Sequence, residues 1–420
     1  MAIVAPGRPP ADRHRTGEWD ASGALARLLA EAAGESPDRV AFRDGPGREI
    51  WCRRPSFELS REIATEAVRR LAAYLAGLGL DPASRVGICL PNGSEAAMSL
   101  LAVGRAGLTP CLLDVTASAG ELSNAIETAD MRAVITQAHL GQDRLAEKMC
   151  FVAAGFFRLR FLLAFGPDVP DGVVDLDPVL LEQRPPRALC SPVEAPAETE
   201  AGIVSFARGS GGRSALFRSY RSLIAAAAPI VAAARLRPGE RLLSLLPPDD
   251  LKGLATGPVA ALIAGAALEA HCAFDPARLA EALAAPEPTH LVAPAWMEPA
   301  LPEIDPGAEL RSIILVHEPP VQLEARPGAA GRIVDVVCCT ELALLSSARS
   351  RPGEISFQAL CGAEGGVTGS LVEVRLGPGD EICLRGPALA RPDHTKADSL
   401  DWQPSGLGIE RNGGVIVRIA

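Results

Sequence analysis

A glycine-rich stretch with hydroxyl and guanidinium side chains directly follows a short apolar run. The run is residues 203–206, and the stretch after it contains Gly209, Ser210, Gly211, Gly212 and Arg213. Glycines let backbone N–H groups approach phosphate oxygens, and a serine hydroxyl adds a further donor. Because no lysine follows the glycines, the Walker A pattern does not fit. A phosphate-binding loop and a flexible surface turn are therefore equally good interpretations of this local chemistry.

Thr340 and Glu341 form a second polar pair, shortly after a predicted strand at residues 333–337. A hydroxyl and a carboxylate at the end of a strand can hold a magnesium ion or a phosphate-linked water. The alternative is the start of a helix, with Thr340 as its cap and Glu341 at the positive end of its dipole. Taken alone, the pair favours the helix start.

Other familiar catalytic patterns are missing from the sequence. The six histidines are far apart, and no H-x-x-H, H-E-x-x-H or G-x-S-x-G pattern occurs. The ten cysteines include no C-x-x-C pair, so we interpret them as small buried apolar residues in a reducing compartment. These observations disfavour a hydrolase of the α/β type and a metal site built from protein ligands alone.

Composition is that of a globular protein. The chain has 420 residues, of which 48% are hydrophobic and 22% charged, with a net charge of −10. That length corresponds to roughly two or three domains, and the acidic balance argues against a nucleic-acid partner. With no apolar signal segment and no run of about 20 apolar residues, the sequence predicts a cytoplasmic location. Residues 151–165 favour a buried helix-to-strand passage, with peripheral contact to a membrane surface as the alternative.

Apolar runs of strand length alternate with segments of helical period, which predicts parallel sheets covered by helices on both faces. The predicted strands are 86–90, 109–113, 133–136, 159–165, 202–206, 242–246, 267–271, 290–293, 312–316 and 333–337. The predicted helices are 24–33, 56–79, 94–105, 120–129, 219–236, 251–264 and 276–284. A buried face is expected on the second of these, made by Ile63, Ala67, Leu71, Tyr74, Leu75 and Leu78. Ser94 is expected to cap the third.

The fold class follows from this alternation: an α/β protein with two doubly wound, mainly parallel sheets and a β-rich end. We predict a polar tail at 1–24, a first α/β subdomain with its linker at 25–190, and a second at 191–350 that carries the glycine-rich stretch. The β-rich subdomain is predicted at 351–420, with a hairpin whose strands are 370–376 and 381–385.

Six segments, taken in order, resemble motifs of the large N-terminal domain of the AMP-forming acyl ligases, the adenylate-forming superfamily that includes the acyl-CoA synthetases. They are RVGICLPN at 85–92, residues 113–136, the glycine-rich stretch at 205–223, LPPDDLKGL at 246–254, Thr340-Glu341, and GDEICLRGP at 379–387. Within the superfamily, the likeness is greatest to the acyl-acyl-carrier-protein synthetase type.

The resemblance implies a two-step reaction. ATP and a carboxylate, such as a fatty acid, would give an acyl-adenylate and pyrophosphate, and coenzyme A or an acyl carrier protein would then take the acyl group. By resemblance, Gly209, Ser210, Gly211, Gly212 and Arg213 would bind the phosphates of ATP. Thr340 and Glu341 would be the catalytic pair, and Glu341 would contact the magnesium ion.

Several residues depart from the family pattern. Ser214 and Ala215 stand where the loop proline and lysine are expected, and Asp250 stands where a histidine is expected. Residues 404–408 lack the ribose-binding aspartate. The chain stops at Ala420, near the expected hinge, so the mobile C-terminal domain and its lysine are expected to be absent or supplied by a partner chain. A divergent ligase, a non-catalytic acyl- or partner-binding protein, and a decayed gene product all fit these departures.

These departures predict weak adenylation by the chain alone. Loss of one preorganised donor to developing charge commonly costs about 3 kcal/mol, or 10²–10³ in rate. We expect ATP–pyrophosphate exchange with medium- and long-chain fatty acids, at saturating ATP, to turn over well below about one per second. Turnover near that rate would contradict the prediction.

Overall fold

The computed structural model describes residues 23–181, 200–209, 212–303, 309–323, 332–349, 355, 371–393, 401–412 and 415–420. The α-helices in these ranges are α1 (Ala24–Glu35), α2 (Arg48–Cys52), α3 (Arg61–Ala76), α4 (Ser94–Arg105), α5 (Ala119–Thr128), α6 (Leu145–Ala153), α7 (Asp177–Leu181), α8 (Tyr220–Ala234), α9 (Leu251–Leu254), α10 (Ala260–Ala264) and α11 (Pro276–Leu283). One π-helical turn, Ala255–Val259, joins α9 to α10. Most helices lie within a few residues of their predicted bounds.

The strands were predicted less completely than the helices. They are β1 (Val40–Asp44), β2 (Glu58–Ser60), β3 (Arg85–Cys89), β4 (Thr109–Leu112), β5 (Ala133–Gln137), β6 (Phe161–Phe165), β7 (Val174–Asp175), β8 (Gly202–Gly209), β9 (Gly212–Ser219), β10 (Arg241–Ser244), β11 (Ala267–Ala270), β12 (Thr289–Pro294), β13 (Leu310–His317), β14 (Val321–Gln322), β15 (Arg332–Cys339), β16 (Ala343–Ala348), β17 (Glu373–Leu376), β18 (Glu381–Arg385), β19 (Arg391–Pro392), β20 (Gln403–Asn412) and β21 (Val415–Ile419). The prediction omitted β1, β2, β7, β9, β14, β16, β19, β20 and β21.

Two eight-stranded sheets form the α/β part, as the fold class predicted. The first has the order β19-β9-β8-β4-β3-β5-β6-β7, and the second β16-β15-β13-β12-β10-β11-β1-β2. Pairing is parallel from β8 to β7 in the first sheet and from β15 to β1 in the second, with antiparallel strands at the edges. The main apolar core draws on both sheets and on α1, α3, α4, α8 and α10.

The third sheet is antiparallel, in the order β14-β21-β20-β18-β17. Its β17 and β18 pair as the predicted hairpin, with Glu373 opposite Arg385. A separate core lies between this sheet and the end of the second one, and it contains Val337, Leu345, Ile382 and Ile409. The β-rich end of the chain is thus packed against β15 and β16.

The two large sheets exchange segments of chain. The strands β1 and β2, from the first fifth of the sequence, belong to the second sheet, whereas β8 and β9 belong to the first. In β1, Phe42 pairs with Leu268 on β11. A division of the chain at residues 190/191 therefore does not separate one sheet from the other, because each sheet contains strands from both sides of it.

The buried face of α3 includes the predicted Leu71 and Leu75 but not Ile63. Ile63, expected inside, lies at the surface and is 56% exposed. The buried row is instead Ala64, Val68, Leu71, Ala72 and Leu75. The reason is that α3 begins only at Arg61, with Ser60 as its cap, and packs between α1 and α4. Between these two neighbours, the side of α3 that carries Ala64 and Val68 is buried, and Ile63 faces outward.

The start of α4 is also held differently from the prediction. Ser94 is the first helical residue rather than the cap. Its amide and hydroxyl donate hydrogen bonds of 2.7 and 2.9 Å to one oxygen of Asp44, at the end of β1. The carboxylate that satisfies the helix start thus comes from the other sheet.

A buried ionic network joins the two sheets at this point. Arg48 on α2 donates to Asp44 and to Glu95 of α4, and Arg54 donates to Glu95 over 2.9 Å. All four side chains are buried. Asn92 continues the connection, because its side-chain amide donates to the carbonyls of Ser244 and His271 in the second sheet, over 2.9 and 3.2 Å.

Residues 151–165 form the predicted passage from a helix to a strand, α6 to β6, in which Val152 and the end of β6 are buried. Leu163, Ala164 and Phe165 are inaccessible, while Phe151 is 77% exposed and Phe157 fully exposed. Among the described residues, none of the helices combines the length and the apolar character needed to span a membrane.

Removing Arg48 tests how much the fold depends on the ionic network. We expect Arg48→Met to lower the free energy of unfolding by about 3–5 kcal/mol, because Asp44 and Glu95 would remain buried without their shared cation. Urea denaturation followed by circular dichroism measures the change. Arg158→Met is the matched control, since Arg158 pairs with Asp130 at the surface, and we expect it to cost less than about 1 kcal/mol. Equal costs for the two variants would contradict the prediction.

Candidate functional site

The glycine-rich stretch forms the end of a long β-hairpin. β8 pairs with β9 residue by residue, from Gly202 opposite Ser219 to Gly209 opposite Gly212. Ser210 and Gly211, between the strands, lie outside the described residues, as does the side chain of Arg213. β8 is joined to the first sheet through Val204, which pairs with Cys111 on β4. The strand therefore runs past the sheet and directly into the glycines.

Thr340 and Glu341 occupy a turn between two antiparallel strands, so the predicted helix start is wrong. Thr340 has a left-handed backbone with φ of 55°, and its hydroxyl donates to the Cys339 carbonyl over 2.6 Å. This turn returns the chain along β15, with Cys339 opposite Ala343. An apolar strand, β16, follows because its first residues fill the core under the third sheet. Thr340 itself is exposed.

The Glu341 carboxylate is held between elements of both large sheets. The Leu251 amide, at the start of α9, donates to it over 3.0 Å. The Ser205 hydroxyl on β8 is buried and, by hydrogen bonding, acts to lower the pKa of Glu341. The structure thus brings Glu341 to the strand that enters the glycine hairpin, while the Thr340 hydroxyl is turned to its own backbone.

Arg218 fixes the backbone of the same turn. This arginine on β9 is 1% exposed, and its guanidinium donates to the carbonyls of Glu341 and Leu342 over 3.0 and 2.8 Å. It also donates to the carbonyl of Ala388, beyond β18. Burial lowers the pKa of Arg218 to about 10, so the guanidinium remains charged at neutral pH.

Carboxylates crowd the loop that leads into α9. Asp250 caps this short helix by accepting from the Gly253 amide over 2.9 Å, and Asp249 precedes it. Burial, with Asp250 and Asp114 nearby, raises the pKa of Asp249 to about 8. Burial, with Asp250 again nearby, raises the pKa of Glu341 to about 7. Protons therefore reside on part of this cluster at neutral pH.

The two lysines among the described residues are both engaged near this cluster. Lys252 pairs with Asp250 and lies 3.3 Å from Glu318. Burial opposes its charge, but these carboxylates outweigh burial and raise the pKa of Lys252. Lys148 on α6 donates to the carbonyls of Val115 and Ala117 over 3.3 and 3.1 Å. Neither ammonium group is left without a protein partner.

All these groups meet where the carboxyl ends of the two parallel sheets face each other. The first sheet contributes Asp114 and Ser205, and the second contributes the loop after β10, Glu318 and Glu341. Ligands of open α/β sheets bind at this edge. We refer to this region, between the carboxyl ends of the two sheets and beside the glycine hairpin, as the cleft.

The donor set suits magnesium only when a ligand supplies oxygens of its own. In the described part of the chain, no group of three or more His, Cys, Asp or Glu side chains could hold a metal ion. Magnesium in nucleotide sites needs only one or two carboxylates beside the phosphates. Glu341 fits that limited role, and the Ser205 hydroxyl beside it could donate to a bound oxygen.

Sequence reasoning missed three contributors to this site. Ser205 and Lys252 were considered only as parts of longer segments, and Arg218 was not singled out. Asp249 precedes Asp250, the residue that stands where the family has a histidine. Two consecutive aspartates before a predicted helix could have indicated this acidic cluster. The residues around Arg218 in the sequence give no indication that its side chain is buried.

Two facing parallel sheets with a third antiparallel one and this cleft define the architecture of the acyl-CoA synthetase type of ligase. A family model described as AMP-binding enzyme matches residues 29–391. The chain belongs to this family, whose members use ATP to activate carboxylates as acyl-adenylates.

Curated relatives match over part of their length. A 3-[(3aS,4S,7aS)-7a-methyl-1,5-dioxo-octahydro-1H-inden-4-yl]propanoyl:CoA ligase from Mycobacterium tuberculosis is 28% identical over 213 residues, which is 50% of this chain and 41% of the relative. A salicyl-AMP ligase / salicyl-S-ArCP synthetase from the same organism is 31% identical over 176 residues, 40% of this chain and 28% of the relative. The chain thus spans less than half the length of these relatives.

Solved structures share the fold at low identity. A long-chain-fatty-acid-CoA ligase from Archaeoglobus fulgidus has a TM-score of 0.72 and 15% identity, over 100% of this chain and 87% of that one. The N-terminal domain of FACL13 from Mycobacterium tuberculosis has a TM-score of 0.63 and 18% identity, over 94% of this chain and 99% of that one.

The protonated carboxyls predict that stability falls as pH rises. Between the pKa of an unfolded carboxyl, near 4, and the values of about 7 and 8 for Glu341 and Asp249, the folded chain binds more protons than the unfolded chain. These two carboxyls therefore act to decrease the free energy of unfolding from pH 5 to pH 8, while His139 and His290, whose pKa burial lowers, act in the opposite direction. Glu341→Gln, which keeps the acceptor for Leu251, should flatten part of this slope.

Urea denaturation at pH steps across this interval measures the slope. Glu281→Gln is the control, because Glu281 lies exposed on α11, and its slope should equal that of the unmodified chain. A slope in Glu341→Gln as steep as in the control would show that Glu341 is ionised in the folded chain at pH 5.

Proposed function

We propose that this chain binds a carboxylic acid and ATP with magnesium in the cleft between the two sheets, and forms the acyl-adenylate slowly. One observation carries the proposal: within a match to the AMP-binding family, the Glu341 carboxylate reaches both the Leu251 amide and the strand that enters the glycine hairpin. Glu341 would contact the magnesium ion, and the hairpin at Gly209–Gly212 would contact the phosphates, with Ser210 and Arg213.

The charge around the cleft supports slow turnover. Asp250 and Glu318 engage Lys252, so this cation is shared before any phosphate arrives. Asp114 contributes a further carboxylate. Asp249 contributes another, which is ionised only above its raised pKa of about 8. A polyphosphate brought close to these carboxylates is repelled, and magnesium offsets only part of that repulsion. Binding of ATP should therefore be weak and strictly dependent on magnesium.

We propose the class of carboxylic acid substrate from the names of similar proteins. The names of two curated relatives specify ring-bearing acids, whereas a structural neighbour is a long-chain-fatty-acid-CoA ligase. A panel that contains salicylate-like aromatic acids and medium- and long-chain fatty acids covers both classes. Transfer of the acyl group to coenzyme A or to a carrier protein is proposed on the same basis.

Asp250→Asn tests the electrostatic part of the proposal. Asparagine still caps α9, but it removes one negative charge and releases Lys252 toward a phosphate. We expect the affinity for ATP with magnesium, measured by calorimetry, to increase about five- to tenfold, or about 1–1.4 kcal/mol. Asp275→Asn is the matched control, because Asp275 caps α11 in the same way and should leave the affinity unchanged.

The outcomes separate catalysis from acyl binding. Binding of ATP together with measurable pyrophosphate exchange supports a working, slow ligase. Thermal stabilisation by acids alone, with no binding of ATP by either the unmodified chain or Asp250→Asn, identifies a non-catalytic acyl-binding protein. An Asp250→Asn variant that binds ATP no better than the control overturns the electrostatic argument.

A further inference from the structure

Two cysteines from distant parts of the sequence meet beside the buried ionic network. Cys52 is the last residue of α2, and Cys272 follows β11. Each thiol is close enough to the other to act on its pKa. Cys52 is 2% exposed, whereas Cys272 is partly exposed. A buried thiol and an accessible one thus form a pair, and both are reduced.

Backbone contacts hold the two segments together independently of the thiols. The Gly45 amide, just before α2, donates to the Ala270 carbonyl over 2.7 Å. A side chain at Gly45 would collide with the ring of His271, whose atoms lie 2.3–2.9 Å from its Cβ position. Asn92 binds the carbonyl of His271 from a third segment. These contacts hold the segment before α2 against the residues that directly precede Cys272.

The surroundings give the two thiols different chemistry. Contact with the Cys52 thiol lowers the pKa of Cys272, and nearby Arg48 acts in the same direction. Contact with Cys272, together with burial, raises the pKa of Cys52. Thiolates react with peroxides and disulfides, whereas thiols do not. The accessible member of the pair is thus the one prepared to react.

We propose that Cys52 and Cys272 form a reversible redox pair that peroxides convert to a disulfide joining α2 to the loop after β11. The Cys272 thiolate attacks one peroxide oxygen, the O–O bond breaks, and protonation of the departing oxygen yields water and a sulfenic acid. The Cys52 sulfur then displaces the sulfenic oxygen, which leaves as a second water with the proton of Cys52. Two thiols lose two electrons and two hydrogens, and the peroxide becomes two waters.

The full chain, purified in reductant and treated with equimolar hydrogen peroxide, tests this. We expect loss of two hydrogens and a peptide that links Cys52 to Cys272, both reversed by dithiothreitol. The melting temperature of the oxidised chain should rise by a few degrees, since the bond closes a long loop. Cys150→Ser is the matched control: Cys150 is another partly exposed cysteine, and its loss should leave the link intact.

Single variants test the assigned roles. In Cys52→Ser, Cys272 should stop at the sulfenic or a higher oxide, and the pH midpoint of its alkylation by iodoacetamide should move upward. In Cys272→Ser, Cys52 should stay reduced. The proposal is overturned if Cys272 is oxidised alone in the unmodified chain, if Cys150 reacts while Cys272 does not, or if no linked peptide forms. None of these readouts depends on ATP or on adenylation.

Discussion

The bridge from Arg48 to Asp44 and Glu95 is the interaction on which the arrangement of the two sheets depends. Asp44 ends a strand of the second sheet, whereas Glu95 belongs to the helix that follows the first sheet's β3. One buried guanidinium binds both carboxylates, and it therefore fixes the distance between the end of β1 and the start of α4. Because a buried charge without its partner is costly, the chain has few ways to separate the sheets without exposing the network to water. The facing carboxyl ends, and hence the cleft, follow from this constraint.

Within that cleft the protein supplies its own counterions. Arg218 binds backbone carbonyls, Lys252 is paired with Asp250, and Glu341 receives the Leu251 amide. Family membership indicates which type of reaction to expect. The distribution of charge in the cleft affects how fast that reaction can proceed. A site whose polar groups satisfy one another is well ordered before a ligand arrives, but the ligand must then compete with existing contacts. The proposed slow adenylation and the fold are therefore compatible.

Local sequence patterns predicted those parts of the fold that depend on near neighbours. The apolar run at 86–90 and the Gly-Pro-Gly-Asp turn before β18 are such cases, because burial or turn geometry acts within a few residues. Partners far away in sequence decided the rest. β1 is a strand because Phe42 meets Leu268, Thr340 turns because β16 pairs with β15, and Ile63 is outside because α1 and α4 pack against another side of α3. For the candidate site, Glu341 was predicted, but Arg218 was not, since an arginine in a polar segment ordinarily indicates the surface.

The exchange of strands between the sheets affects how this chain can be made. During synthesis β1 and β2 leave the ribosome early, yet their partner β11 follows more than 200 residues later. The first sheet in turn waits for β8 and β9 after its other parallel strands are complete. Neither half can finish folding while the other is still being translated, and pairings this distant form slowly. The nascent chain therefore exposes unpaired apolar strands for a long interval, which makes it a natural client of chaperones that bind such segments.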